Sequence, residues 1–249
     1  MKKEWKCMGL LVATAMVLSI LSGCIGGEEE KGKIVVGTAT GFAPFEYKDD
    51  DGNIVGFDID MIKKIAEDQG YEVEVKDLSF DALIASLKSE KIDVIAAAMT
   101  ITDERAEQIS FSDPYYEADQ SILVRKGYEE VSSSDDLAGL KVGAQTGTTG
   151  AAWVKDNIGD ENLNRYESYL LCVKDLTNGN IDAVVLDTPV AKNFEGQGDV
   201  VMVVTMETGE EYGLGVGKDN EDLLKDLNEG LENLMGSDEW SELIEKYFS

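Results

Sequence analysis

From Lys33 onward, short apolar runs alternate with amphipathic stretches. Lys33-Ile34-Val35-Val36-Gly37-Thr38 reads as a first strand. Glu46-Tyr47-Lys48 and Ile54-Val55-Gly56 flank the turn cluster Asp49-Asp50-Asp51-Gly52-Asn53, which predicts a hairpin. Met61, Ile62, Ile65 and Ala66 keep helical spacing, and Gly70 closes that helix. Tyr71 to Val75 alternates as a strand, Leu83, Ile84 and Leu87 mark another helix, and residues 92–99 form a third buried strand. This β-α-β-α-β rhythm predicts an α/β fold with a mainly parallel sheet covered on both faces.

A second unit begins after Pro114-Tyr115-Tyr116. A strand is expected near Ser121–Arg125, and a short helix near Ser134. Lys141–Gln145 reads as a strand, a helix starts near Thr149, and Ile181–Asp187 is another buried strand. Thr188-Pro189 follows, with proline where a helix start tolerates it. Val200–Val204 and Tyr212–Val216 read as late strands. Leu223, Leu224, Leu227, Leu231 and Leu234, then Trp240, Leu243, Ile244 and Tyr247, predict two closing helices that pack as core or cover. The 3 prolines, Pro44, Pro114 and Pro189, all fall at strand-end junctions, where small-molecule sites sit in α/β folds.

Composition narrows the function. The 249 residues carry a net charge of −28, spread along the chain, which argues against nucleic-acid binding and reads as a solvated acidic surface. With no histidine, a Ser-His-Asp or Cys-His apparatus is excluded. Of 3 cysteines only Cys172 lies in the body, so no metal-ligand spacing exists, and neither metal nor cofactor is expected. Cys172, between Leu171 and Val173, reads as a small buried hydrophobe. The acidic cluster at 49–60 fails as a calcium loop, because Ile54 replaces the required glycine and Asp60 the closing glutamate. Gly143, Gly147 and Gly150 lack the Gly-Lys-Ser/Thr of a nucleotide loop.

The N-terminus has Lys2, Lys3 and Lys6 before an apolar run from Met8 to Leu21, the form of an export signal. Leu21-Ser22-Gly23-Cys24 resembles a lipoprotein signal box. Residues 1–23 are therefore expected to be a removed leader, Cys24 a lipidated anchor on the outer face of the cytoplasmic membrane, and residues 24–32 a flexible tether. Simple cleavage and retention as a helix are the alternatives.

The candidate chemistry lies in Thr100 to Tyr116. Thr102 is a good N-cap, and Asp103-Glu104 suit a first turn, so Arg105 is placed about one turn into a helix just past a strand end. Only 3 of the 22 basic residues are arginines, which points to a planar fork gripping a carboxylate. A surface ion pair with neighbouring acids explains the spacing equally well.

Several segments together resemble the polar amino-acid family of extracellular solute-binding proteins of ABC importers. They are Val36–Tyr47, Gly56-Phe57-Asp58-Ile59-Asp60, Thr100–Tyr116, Val142–Gly150 and Asp182–Pro189. The resemblance implies two α/β lobes joined by two hinge strands, a type II periplasmic-binding-protein-like fold. Residues 33–114 and 213–249 would form lobe one, 120–207 lobe two, and 115–119 with 208–212 the hinge. It further implies that Arg105 forks a ligand α-carboxylate, with Thr100 and the Ala98 backbone beside it. Thr149 would be the lobe-two donor to that carboxylate, and Asp187 the acceptor of the α-ammonium. Phe42 and Phe80 would be aromatic walls, while Gly41, Gln145, Leu186 and Ala39 complete the expected lining. Ala39 stands where several binders of glutamine and basic amino acids carry aspartate, which favours a polar uncharged amino acid as ligand.

Closure of a monomer on such a ligand, and delivery to a membrane permease, is the implied function. Two other readings remain open at this point. One is a secreted dehydratase of the same fold acting on prephenate-like acids. The other is a ligand-sensing input domain, whose membrane-bound form needs a spanning segment after the body.

Overall fold

A computed structural model describes residues 31–249; the expected leader, Cys24 and the tether up to residue 30 lie outside the described residues. The fold is already under way at Lys31, whose amide donates to the Gly70 carbonyl at 2.8 Å and whose ammonium meets Asp226 at 2.8 Å.

The first sheet forms from the opening stretch of chain. Strand β1 (Gly32–Thr38) leads to a hairpin of β2 (Tyr47–Lys48) and β3 (Ile54–Val55). Asp49 holds that hairpin's turn, accepting from the Asp51 and Asn53 amides at 3.0 and 2.8 Å. Helix α1 (Phe57–Asp68) buries Phe57, Ile59, Met61, Ile62 and Ile65. Then come β4 (Tyr71–Asp77), α2 (Leu83–Lys88), β5 (Val94–Ile95), the short α3 (Asp103–Ala106) and β6 (Ser110–Phe111). The second sheet comes from β7 (Tyr116–Arg125), β8 (Val142–Gln145), α4 (Thr149–Asn157), β9 (Leu163–Tyr166), α5 (Tyr169–Thr177), β10 (Ala183–Asp187), α6 (Thr188–Gly196) and β11 (Val200–Tyr212). The chain then returns to the first sheet through β12 (Gly215–Val216) and closes with α7 (Glu221–Met235) and α8 (Asp238–Phe248).

Sheet orders are β4-β1-β5-β12-β6 and β11-β7-β10-β8-β9. In the first, β4-β1-β5 are parallel and the returning β12 pairs antiparallel with both neighbours. In the second, β10-β8-β9 are parallel while the crossing strands β7 and β11 are antiparallel. The parallel pairs come from β-α-β units with their crossover helices; the antiparallel pairs occur where a strand enters or leaves a lobe.

Two parts of the chain pattern differently from the sequence expectation. Residues 96–99 leave the strand register after Ile95, because Ala98 turns into the left-handed region at φ 44°. A residue with a Cβ pays about 1–2 kcal/mol there. The Ala98 amide is held by the Asp58 carboxylate at 2.7 Å, and Tyr115 Oη donates to the same oxygen at 2.6 Å. The two expected late strands are also differently divided: β11 is one 13-residue strand that crosses between the lobes, and β12 is only the pair Gly215–Val216. Period alone could not show this, since its outer half is exposed and polar.

The crossing strands meet where Tyr116 pairs with Tyr212 and Ala118 with Glu210. Around them Phe45, Phe57, Tyr116, Tyr212 and Phe248 form an aromatic cluster with ring centroids 4.8–6.2 Å apart, edge-on or stacked. Each fully buried ring contributes roughly 1.5–3 kcal/mol by leaving water. Helix α7 lays Leu223, Leu227, Leu231 and Leu234 inward, and its Gly230 passes close to Ile65 of α1. The covering role expected of the two closing helices is what they perform.

Candidate functional site

The carboxyl ends of β1, β5, β8 and β10 converge between the lobes. There a narrow cavity is lined by Ala39, Phe42, Glu46, Phe80, Ala97, Ala98, Thr100, Arg105, Gln145, Thr148, Thr149 and Asp187. Its empty volume is ≈ 300 Å³. Clefts between two hinged lobes generally admit a ligand when the lobes part.

Arg105 sits where its sequence position places it. Thr102 caps α3 by accepting from the Arg105 amide at 3.3 Å, and the guanidinium reaches back under the loop. Its Nη1 donates to the Thr100 carbonyl at 2.6 Å and its Nη2 to the Gly147 carbonyl of the other lobe at 3.0 Å. The Phe80 ring lies 5.4 Å from its Cζ. Only 8% exposed, the side chain is no surface ion pair. Burial lowers its pKa while Asp187 and Glu210 oppose that, and a guanidinium stays charged regardless.

Asp187 faces Arg105 from the second lobe, 4% exposed. As the residue before α6 it could cap the helix, but no side-chain cap bond is made. Instead its carboxylate accepts from Gln120 Nε2 at 2.8 Å and from the Tyr212 hydroxyl. Burial, then the Glu210 charge, push its pKa up to about 7 against those two hydrogen bonds and the Arg105 charge.

Thr149 opens α4 as expected. The Thr148 side chain caps the helix by accepting from the Ala151 amide at 3.2 Å. The amides of Thr149 and Gly150 thus begin the helix with no carbonyl ahead of them, at its positive end. A Cβ on Gly150 would lie 2.9 Å from the Val185 carbonyl oxygen, so glycine lets the helix start press against β10. Gln145 donates to the Glu167 carbonyl at 2.9 Å, and Phe42 packs on Tyr169 with centroids 5.6 Å apart.

Of the residues singled out in the sequence, Ala39, Phe42, Phe80, Ala98, Thr100, Arg105, Gln145, Thr149 and Asp187 are brought together. Gly41 and Leu186 are not. Strand alternation turns Leu186 into the core, fully buried, as it turns Asp187 into the cleft. Gly41, at φ 109°, lines an outer groove against Leu170. The Ala98 amide is spent on Asp58, which leaves its carbonyl as the polar group of that residue.

The sequence reading passed over Glu46, Thr148, Gln120, Glu210 and Tyr212. In the sequence Glu46 reads as part of a hairpin, and the one local signal of another role is an acid set between Phe45 and Tyr47. It is 1% exposed, lines the cavity, and its Oε2 has no hydrogen-bond partner. Burial, followed by the charges of Asp58, Asp187 and Asp77, holds its pKa well above the usual carboxylate range. Gln120, Glu210 and Tyr212 lie on the crossing strands, where only tertiary register brings them to the cleft.

Residues 34–249 match the model of a family described as bacterial extracellular solute-binding proteins, family 3. The chain belongs to that family. The fold is the two-lobed type II periplasmic-binding-protein fold. A probable histidine-binding protein of Neisseria gonorrhoeae is 36% identical to this chain, covering 99% of it and 96% of that protein. A solved structure titled as an ancestral arginine-binding protein bound to arginine superposes with a TM-score of 0.85 at 41% identity, covering 88% of this chain and 100% of that one. A third, an ancestral amino acid-binding protein described as a precursor of cyclohexadienyl dehydratase, gives 0.82 at 34% identity over 88% and 96%. These relatives are amino-acid-binding proteins rather than enzymes.

Proposed function

We propose that this protein captures an amino acid with a cationic side chain, arginine above all, in the interlobe cleft and delivers it to the permease of an ABC importer. The observation that carries the choice of ligand is the Glu46 carboxyl, buried in the cavity wall with Oε2 unpartnered. Arg105 and the first amides of α4 would take the α-carboxylate and Asp187 the α-ammonium, which balances one zwitterion. Glu46 is then an extra buried acid without a cation, and an isolated buried charge is costly. A guanidinium or ammonium at the end of the ligand side chain would supply the missing charge, with Phe42 and Phe80 flanking its stem. The absence of an acid at Ala39 had favoured an uncharged ligand; Glu46, from the same lobe, reverses that preference.

Calorimetry with arginine, lysine, histidine and glutamine tests the choice. Arginine is expected to bind tightest, and Glu46→Gln to weaken it at least about tenfold while changing glutamine affinity by less than about threefold. Tighter binding of glutamine than arginine by the native chain would sink the cationic reading.

Binding is also expected to depend on pH. Burial pushes the Asp187 pKa up to about 7 and holds that of Glu46 well above the usual carboxylate range, in each case because it disfavours the charged form. A cationic ligand needs them ionised. Affinity therefore falls as pH drops through about 7, where Asp187 takes up a proton, by up to about tenfold per unit, and protonation of Glu46 weakens binding further. Binding at pH 7 should accordingly release protons. Equal calorimetric enthalpies at that pH in buffers of different ionisation enthalpy would contradict this.

The export leader, lipidation at Cys24, hinge segments at 115–119 and 208–212, and a monomeric state belong to the same proposal. Absence of labelled fatty acid on the exported protein would remove the anchor. A buried acid of raised pKa also suits general-acid chemistry, so a dehydratase of the same fold is the second reading. Turnover of prephenate-like acids by the purified protein would favour it.

A further inference from the structure

Asp58 is fully buried, yet it is not part of the cavity lining. It sits in the first turn of α1, where an acid suits the helix dipole, but its side chain makes no cap bond there. Both of its hydrogen bonds fall on one oxygen. Oδ2 accepts from the Ala98 amide at 2.7 Å and from Tyr115 Oη at 2.6 Å, whereas Oδ1 has no partner among the described residues. Tyr115 stands immediately before the crossing strand β7. The same oxygen therefore ties the loop after β5 to a strand that passes between the lobes.

That loop carries first-lobe groups of the cleft. Ala97, Ala98 and Thr100 line the cavity, and the Thr100 carbonyl accepts from Arg105 Nη1 at 2.6 Å. Its far end is held by the returning chain. The Ile101 amide donates to the Glu211 carbonyl at 2.8 Å, and the Gly213 amide to the Met99 carbonyl at 3.1 Å. Thr100 Oγ1 donates to Glu210 Oε2 at 2.8 Å, an oxygen that also takes the Thr149 proton at 2.7 Å. The near end turns at Ala98, in the left-handed region at φ 44°, with Asp58 as the acceptor of its amide. Without that acceptor a buried amide is left unpaired, and nothing offsets the strain of a Cβ in this region. Relaxation to a negative φ would rotate the peptide bonds on either side of Ala98 and shift Thr100.

We infer that Asp58 is a positioning residue: it holds Ala98 in the left-handed region through the amide, with Tyr115 fixing the accepting oxygen, and so sets the loop that seats Arg105 in the cleft. The inference rests on the amino-acid reading above, because amino-acid affinity is its readout. Asp58 touches no ligand and acts through the backbone of its neighbours.

Once Asp58 is removed, the left-handed state of Ala98 is populated only in part, and apparent affinity falls by that fraction. Asp58→Ala is expected to weaken binding of L-arginine about 5–30-fold in calorimetry, the factor that corresponds to the left-handed penalty. Where another of the twenty amino acids binds the native chain better, that one is used. Made beside Ala98→Gly, the same substitution should cost less than about threefold, because glycine occupies this region without the penalty. A general loosening of the fold would cost the same in both backgrounds. Tyr115→Phe should give a smaller loss, and no further loss when added to Asp58→Ala.

Asp58→Asn, whose neutral amide oxygen is the weaker acceptor, serves if the alanine variant does not fold. It should show the same difference between backgrounds at reduced size. Equal losses in the two backgrounds, or no loss, in a folded protein would overturn the role of Asp58. A native chain that binds none of the twenty amino acids would overturn the amino-acid reading instead. A crystal structure of the folded variant then decides on Asp58: a negative φ at Ala98 supports the role, and a φ still near 44° overturns it.

Discussion

Arg105→Ala is expected to weaken amino-acid binding by at least about a hundredfold without unfolding the protein. Among the described residues lining the cavity the guanidinium is the only basic group, and two buried acids, Glu46 and Asp187, line the cavity with it. Charge-assisted hydrogen bonds contribute about 1.5–3 kcal/mol each, and a planar fork offers two to one carboxylate. Losing both removes about 3 kcal/mol or more, which converts to the stated factor. The empty site also becomes more acidic, adding repulsion of the ligand carboxylate. Arg105→Lys should recover little, because a point charge on a flexible stem cannot replace the planar fork. Calorimetry, with thermal unfolding as the control for folding, reads the result. An alanine variant of native affinity would show that the ligand carboxylate is held elsewhere.

Gly56→Ala should be strongly destabilising, since among the described glycines a Cβ at Gly56 makes the closest backbone approach. Gly56 has φ 135° and ψ 175°, a region only glycine occupies without strain. A Cβ there would stand 2.1 Å from the Phe45 carbonyl oxygen and 2.5 Å from its carbon. No rotamer relieves a clash with backbone. The start of α1 would have to move, breaking the bonds from the Phe57 amide to the Pro44 carbonyl at 3.0 Å and from the Asp58 amide to the Phe45 carbonyl at 3.1 Å. Phe45 and Phe57 lie in the aromatic cluster at the hinge, so the shift opens packing there too. A destabilisation of about 4 kcal/mol or more is expected, lowering Tm by roughly 8–16 °C for a chain of this length. The same movement displaces Glu46 and Asp58, so amino-acid affinity should fall with stability. A Tm within about 2 °C of the native value would show that the backbone yields more easily than this geometry implies.

Local signals in the sequence carried much of this structure because they report local physics. Thr102 capping, the acids of the first turn and the strand before them placed Arg105 correctly, since capping and dipole effects act within one turn. The turn at Asp49, the helix start at Thr149 and the two closing helices were legible for the same reason. Exclusion of histidine chemistry needed only the composition.

The misplacements came from two sources. Residue side within a strand was the first: Leu186 and Asp187 are neighbours, and their opposite faces separate a core residue from a cleft residue. The second was contact across long separations. Glu46 reads as one more acid in an acidic chain, and only burial beside a cavity makes it a ligand-selecting candidate. Glu210 lies 110 residues from Thr100 and 61 from Thr149.

By itself, then, the sequence determined the alternation of strands and helices, the strand-end placement of Arg105, Thr149 and Asp187, and the family resemblance. The tertiary structure alone decided which acids face the cleft and which way the threonine hydroxyls point. Local periodicity reports which side of an element is apolar, whereas charge balance and hydrogen-bond direction depend on groups that meet only when the two crossing strands bring the lobes together.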